Sequence, residues 1–177
     1  MKTILVVTVT CPDRPGIVER LTEVLGAHAA NWEESRMARL GGDFAGIVKL
    51  SVPSDRADGL TAALRALATE QMTVVVKATQ PEAAAAWAGY RLCDLRLTGA
   101  DHEGIVHKVS AYLASQGVNV ESMDTEVVCA PITATPLFQM AAHIQVPPGL
   151  NPAVLNANLQ RIAEELGVDI TVEPASA

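Results

Sequence analysis

An α+β protein of two successive βαββαβ units, each an antiparallel sheet with both helices on one face, is what the sequence predicts. Three observations predict it. The segment Asp13-Arg14-Pro15-Gly16-Ile17-Val18 returns as Asp101-His102-Glu103-Gly104-Ile105-Val106. Each copy closes an apolar run (Ile4 to Val9, Leu92 to Leu97) and opens a stretch of helical periodicity. Finally, Asp13, Gly16, Ile17, Val18, Leu25 and Asn31 meet Asp101, Gly104, Ile105, Val106, Leu113 and Asn119 at a constant offset of 88. A strand, a Gly-containing turn and a helix N-terminus form a weak signal once and a strong one when repeated. The free N–H groups of such a first helical turn suit a small anion such as a carboxylate.

Taken in order, residues 2–10 read as a buried strand and 15–29 as a helix. Ile17, Val18, Leu21, Val24, Leu25 and His28 form its stripe at three-four spacing. Pro15 suits the first helical turn, where its missing N–H costs little, with Asp13 or Arg14 at the cap. Residues 31–40 and 43–53 make a hairpin around Gly41-Gly42-Asp43. Pro53-Ser54-Asp55 ends that strand and caps a helix over 55–69 with stripe Leu60, Leu64 and Leu67; a strand follows at 72–79. The first domain is therefore 1–80. Residues 81–90 read as a linker, or as an extension of the preceding strand, and 91–177 form the second domain.

The second domain repeats the order. A strand covers 91–99, and a helix 103–116 carries Ile105, Val106, Val109, Tyr112 and Leu113. Strands at 118–129 and 136–147, a helix at 151–166 and a strand at 168–173 complete it. Phe44 meets Phe138 at an offset of 94, so the second hairpin carries six extra residues between Cys129 and Pro136. That longer loop reads equally as a contact surface or as neutral drift. Right-handed crossovers give each unit the ferredoxin-like split βαβ arrangement.

Composition narrows the function classes. Hydrophobic residues make up 49% and charged residues 19%, enough to bury a core and too apolar for disorder. The net charge is -7 and no Lys/Arg cluster occurs, which argues against direct nucleic-acid binding. Cys11, Cys93 and Cys129 have neither metal-ligand spacing nor an even count, so a reducing cytoplasm is expected and no metal or other cofactor. No stretch is long and apolar enough to span a membrane.

The chain resembles the ACT-domain family of small-molecule-sensing modules, as two tandem copies. The resemblance is carried by Thr10-Cys11-Pro12-Asp13-Arg14-Pro15-Gly16-Ile17-Val18 with Asn31, and by Thr98-Gly99-Ala100-Asp101-His102-Glu103-Gly104-Ile105-Val106 with Gly117-Val118-Asn119-Val120. Among tandem members it looks most like the glycine cleavage system transcriptional repressor group, with a hairpin enlarged around Pro136-Leu137-Phe138. The first unit also resembles the N-terminal module of formyltetrahydrofolate deformylase, whose catalytic domain has no counterpart here.

The resemblance implies an amino-acid site where two units meet. By position it names Cys11, Asp13, Pro15, Gly16 and Asn31, and Gly99, Asp101, Gly104 and Asn119. A helix N-terminus would take the α-carboxylate, Asp13 the α-ammonium, and the Asn side chains can donate and accept at once. The second loop departs from the first, with His102-Glu103 in place of Arg14-Pro15. Read from the residues alone, Asp13 and Asp101 could be helix caps worth about 1 kcal/mol each. Likewise Gly16 and Gly104 could serve close packing, and Asn31 and Asn119 could be turn residues. A Cys-His nucleophile built on Cys11 lacks a partner at suitable spacing. The expected protein is therefore a non-enzymatic regulator sensing glycine or serine. It would act on a transcription factor or an enzyme, and could form a homodimer. A constitutive interaction module, or a regulatory subunit of an amino-acid biosynthetic enzyme, is the alternative.

Overall fold

The computed structural model describes residues 1–79, 87–129 and 135–175. The chain divides into two compact units, Met1–Ala86 and Trp87–Ala177.

In the first unit the order is β1 (Lys2–Pro12), α1 (Ile17–Ala27), β2 (Asn31–Leu40), β3 (Asp43–Pro53), a 3-10 turn (Ser54–Arg56), α2 (Ala57–Arg65) and β4 (Thr73–Thr79). The sheet runs β2-β3-β1-β4 with every pair antiparallel. Alternation on the strands decides which face is covered. Leu5, Val7 and Val9 point to the helices and are buried, as are Val48, Leu50 and Val52 across the ladder. Ile17, Leu21 and Leu25 of α1 and Leu60 and Leu64 of α2 close over them. Each fully buried Leu or Val contributes about 1.5–3 kcal/mol, so this one face holds the unit together.

The second unit repeats it with β5 (Arg91–Ala100), α3 (Ile105–Ser115), β6 (Asn119–Cys129), β7 (Pro136–Val146), α4 (Pro152–Leu166) and β8 (Val168–Pro174), in the sheet order β6-β7-β5-β8. Its core is Leu95, Leu97, Val109, Leu113, Ile144, Leu155, Leu159 and their neighbours. A register shift interrupts β2 between Trp32 and Glu34 and β6 between Val120 and Ser122, so even the bulge is duplicated.

Three expectations need correction. Neither Asp13 nor Arg14 caps α1. Gly16 does, at φ 93°, and Gly104 does the same for α3 at φ 89°, both without a side-chain cap. A left-handed residue cannot continue a helix, so Pro15 lies in the turn and the helix begins at Ile17. The helix read over 55–69 also splits. Its first turn is 3-10, and it ends at Arg65 because Leu67 and Ala68 bond back only three residues. Of the connector, Trp87 to Tyr90 make a turn with their rings edge-to-face at 5.1 Å. The remainder, and most of the hairpin insertion, lie outside the described residues.

Candidate functional site: two bare helix N-termini

The loop from β1 to α1 is built by two tethers. The Asp13 N–H donates to the Gly42 carbonyl (3.0 Å), and Asp13 Oδ2 lies 3.0 Å from Arg39 Nε. Both hold the loop against the hairpin turn, leaving Gly16 to swing the chain into α1. The first intrahelical bond runs from the Arg20 N–H to the Gly16 carbonyl. The N–H groups of Ile17, Val18 and Glu19 lie ahead of it, as α-helical geometry requires. A methyl group at Gly16 would meet only Glu19 Oε2, at 3.8 Å, so the turn is open from outside.

The second unit copies this with different fastenings. The Asp101 N–H donates to the Pro136 carbonyl (3.1 Å), and the Lys108 N–H opens α3 by bonding the Gly104 carbonyl (3.0 Å). Nothing lies within 4 Å of a methyl group placed at Gly104. Where the first loop has Arg14, His102 spans from the Glu103 carbonyl to that of Leu166. Those two acceptors push the His102 pKa above its ordinary value. The first turns also differ in sign. Glu19 stands in that of α1, whereas that of α3 holds no acid. An acid there competes with any bound carboxylate for the same positive pole.

The other candidates occupy different places. Cys11 is buried in the core, so only its backbone borders the loop. Gly99 has a packing role: a methyl group there would lie 2.5 Å from Val168 Cγ1 and 2.8 Å from Val168 Cα. Pro15 is exposed in the turn before Gly16. Asn31 begins β2 and pairs with Ser51, which in turn faces Ile4 near the start of β1. The Asp13 loop follows the far end of the same strand, so about 30 Å separates it from Asn31 within one unit at strand rise. Ser51 Oγ is buried without a hydrogen-bond partner among the described residues. In the second unit the equivalent pair is satisfied, with Asn119 Nδ2 donating to Gln145 Oε1 at 2.8 Å. Sequence reading missed the Asp13–Arg39 and His102–Leu166 tethers, since both join residues whose nearness only the folded sheet creates.

Among the described residues no group of three His, Cys, Asp or Glu is placed to hold a metal, and no helix is long and apolar enough to cross a membrane.

Residues 3–77 match the family model of the ACT domain. A solved structure provisionally identified as a glycine cleavage system transcriptional repressor has the same fold over 100% of this chain and 99% of its own, at TM-score 0.72 and 19% identity. Residues 3–77 belong to the ACT-domain family. The fold of the chain is a tandem pair of ACT units. The likeness extends to an unknown protein from Galdieria sulphuraria, 34% identical with TM-score 0.82, covering 99% of this chain and 100% of that one. A formyltetrahydrofolate deformylase from Pseudomonas putida KT2440 matches 48% of this chain and 29% of its own, at 19% identity and TM-score 0.41. No curated protein matches the ACT pair in sequence.

Proposed function

We propose that this tandem ACT protein is a non-enzymatic cytoplasmic regulator that senses a small amino acid, glycine or serine, and passes the signal to a partner protein. The observation that carries the reading is the duplicated, uncapped helix N-terminus behind Gly16 and Gly104. Three N–H groups ahead of the first helical bond can receive an α-carboxylate, and a neighbouring Asp can accept from an α-ammonium. Asn31 and Asn119 are the proposed polar contacts supplied by a facing unit. The likeness to a provisionally identified glycine cleavage repressor makes a transcription factor the first partner to try. Ligand would act by its differential affinity for one arrangement of the protein over another.

Calorimetric titration of glycine and serine into wild type and Asp13→Ala tests it. Wild type should bind one of them, and the variant should bind roughly tenfold more weakly, the loss of one charge-assisted contact. A ligand at about 100 times its Kd should also stabilise the protein by about 2.7 kcal/mol. Equal affinity of the two proteins would overturn the role of Asp13. No binding of any amino acid would leave the constitutive interaction module.

A further inference from the structure

Duplication gives the core positions of the second unit counterparts in the first, and at one of them the two differ in bulk. Cys93 faces Ile144 across β5 and β7, as Leu5 faces Leu50 across β1 and β3. The two residues are therefore equivalent by register as well as by the offset of 88. Leu5 is 3% exposed and part of its core. Cys93, with the shorter side chain, is only partly buried.

Neighbouring side chains do not close the space. A cavity of about 370 Å³ opens at this end of the core, between the sheet and the start of α4, walled by Cys93, Val146, Leu155, Val172 and Pro174. Burial pushes the Cys93 thiol up, against the opposing effect of Arg91, so that wall is uncharged at neutral pH. The mouth, by contrast, is positive on the helix side. Arg91 lines it, and its Nη2 donates to the Leu150 carbonyl at 2.9 Å, which draws the guanidinium toward the start of α4. Its remaining N–H groups have no partner among the described residues. The first turn of α4 holds no acid, so the positive pole of that helix is not offset by charge. Glu173 also borders the cavity, but strand alternation sets it on the opposite face of β8 from Val172, beside Asp94.

We propose that this cavity is a binding site for a small apolar carboxylic acid. Its hydrocarbon part occupies the space that the Leu5 side chain fills in the first unit, and its carboxylate meets Arg91 at the mouth. An apolar lining of this size with one or two fixed polar groups is the usual form of a small-molecule pocket. Unfilled apolar space regains its lost contacts when an apolar molecule enters. A neutral hydrocarbon would fill the space as well, yet forgo the charge-assisted bonds of the guanidinium. The site lies in the second unit and does not depend on the helix N-termini behind Gly16 and Gly104.

Calorimetric titration of sodium octanoate and of 1-octanol into the full chain tests it. Wild type should bind octanoate more tightly than octanol. Arg91→Gln should bind octanoate roughly tenfold more weakly, with its affinity for octanol unchanged. Cys93→Leu supplies the side chain that the first unit carries, so it should fold as wild type does, by circular dichroism, and bind neither compound. The thiol gives a second measurement. In Cys129→Ser, Cys93 is the accessible thiol, since Cys11 is buried. Octanoate should slow its reaction with a disulfide reagent, and glycine should not. Millimolar octanoate that neither binds nor protects Cys93 would overturn the proposal, as would equal binding by wild type and a folded Cys93→Leu. Octanol binding as tightly as octanoate, with Arg91→Gln changing neither, would overturn the assignment of a carboxylic acid.

Discussion

His102 joins the loop before α3 to the end of α4: its Nε2 lies 2.8 Å from the Leu166 carbonyl oxygen while its Nδ1 lies 2.9 Å from that of Glu103. Carbonyl oxygens only accept, so both ring nitrogens must donate, and only the imidazolium can do that. The protonated ring is thereby favoured in the fold and its pKa raised, the Glu103 bond contributing most and the Leu166 bond next. A raised folded pKa stabilises the protein below the unfolded value, about 6.5, and that gain fades as pH rises through the folded pKa. Urea unfolding of wild type and His102→Gln at pH about 5.5 and about 8.5 should show a larger deficit for the variant at the lower pH. A deficit that is the same at both values would assign His102 a purely steric role.

Glu165 supplies the opposite sign. Its hydrogen bond and ion pair with Lys108, joining α4 to α3, hold its carboxyl below the ordinary range. The associated stability is present above the unfolded pKa, about 4.3, and is lost as pH falls through the lower folded value. Lys108→Ala should therefore lower stability slightly at neutral pH, both groups being exposed, and that small deficit should vanish as pH falls below about 4 and Glu165 protonates, flattening the acid limb by the same amount.

The two helix ends form a matched pair of backbone tests. Ala29 takes φ 54° after α1, where the equivalent residue after α3 is Gly117 at φ 67°. In both, the following N–H reaches back to a Leu carbonyl at 3.0 Å, from Ala30 to Leu25 and from Val118 to Leu113. A Cβ in the left-handed region costs about 1 kcal/mol or somewhat more. Ala29→Gly should raise stability by about 0.5–1 kcal/mol and Gly117→Ala should lower it by about 1. Chemical denaturation measures both, and opposite signs are the required result.

Gly99 is explained by the same logic of space. A methyl group there would lie 2.5 Å from Val168 Cγ1. Gly99→Ala should cost about 1–3 kcal/mol, the usual range for overpacking. Adding Val168→Ala should recover only part, because the Val168 Cα also stands at 2.8 Å. Complete recovery would show that the side chain alone sets the limit.

The strands, their pairing and most of each helix stripe were legible in the sequence because burial imposes period two on β1 and period three-four on α1, and β-branched residues mark which is which. Val18, read into the α1 stripe, is 44% exposed. The offset of 88 made the duplication legible as well. What sequence alone misplaced were the helix starts. Asp13 resembles a cap in one dimension, but the cap is decided by the φ of Gly16, and the Asp13 carboxylate is drawn to Arg39 across the hairpin. Cys11 and Gly99 were grouped with the loop by position. The pleat turns Cys11 into the core, and Gly99 answers to β8, some seventy residues away.

Glu19 separates stability from sensing in the first unit. It sits in the first turn of α1 with Oε2 near the Gly16 turn, where its charge favours the positive pole of the helix. The same charge opposes a carboxylate arriving at the N–H groups of Ile17 and Val18. Glu19→Gln should therefore lower stability by a few tenths of a kcal/mol and strengthen amino-acid binding at the first unit by about two- to fivefold, the reach of one charge at a helix end. In the second unit the equivalent position is His107, and α3 has no first-turn acid to remove. His107→Glu there should do the reverse, weakening binding by a similar factor. Titration calorimetry of glycine into both variants, alongside urea unfolding, checks the pair. Binding and stability moving in the same direction for Glu19→Gln would mean that the helix N-terminus does not receive the ligand carboxylate.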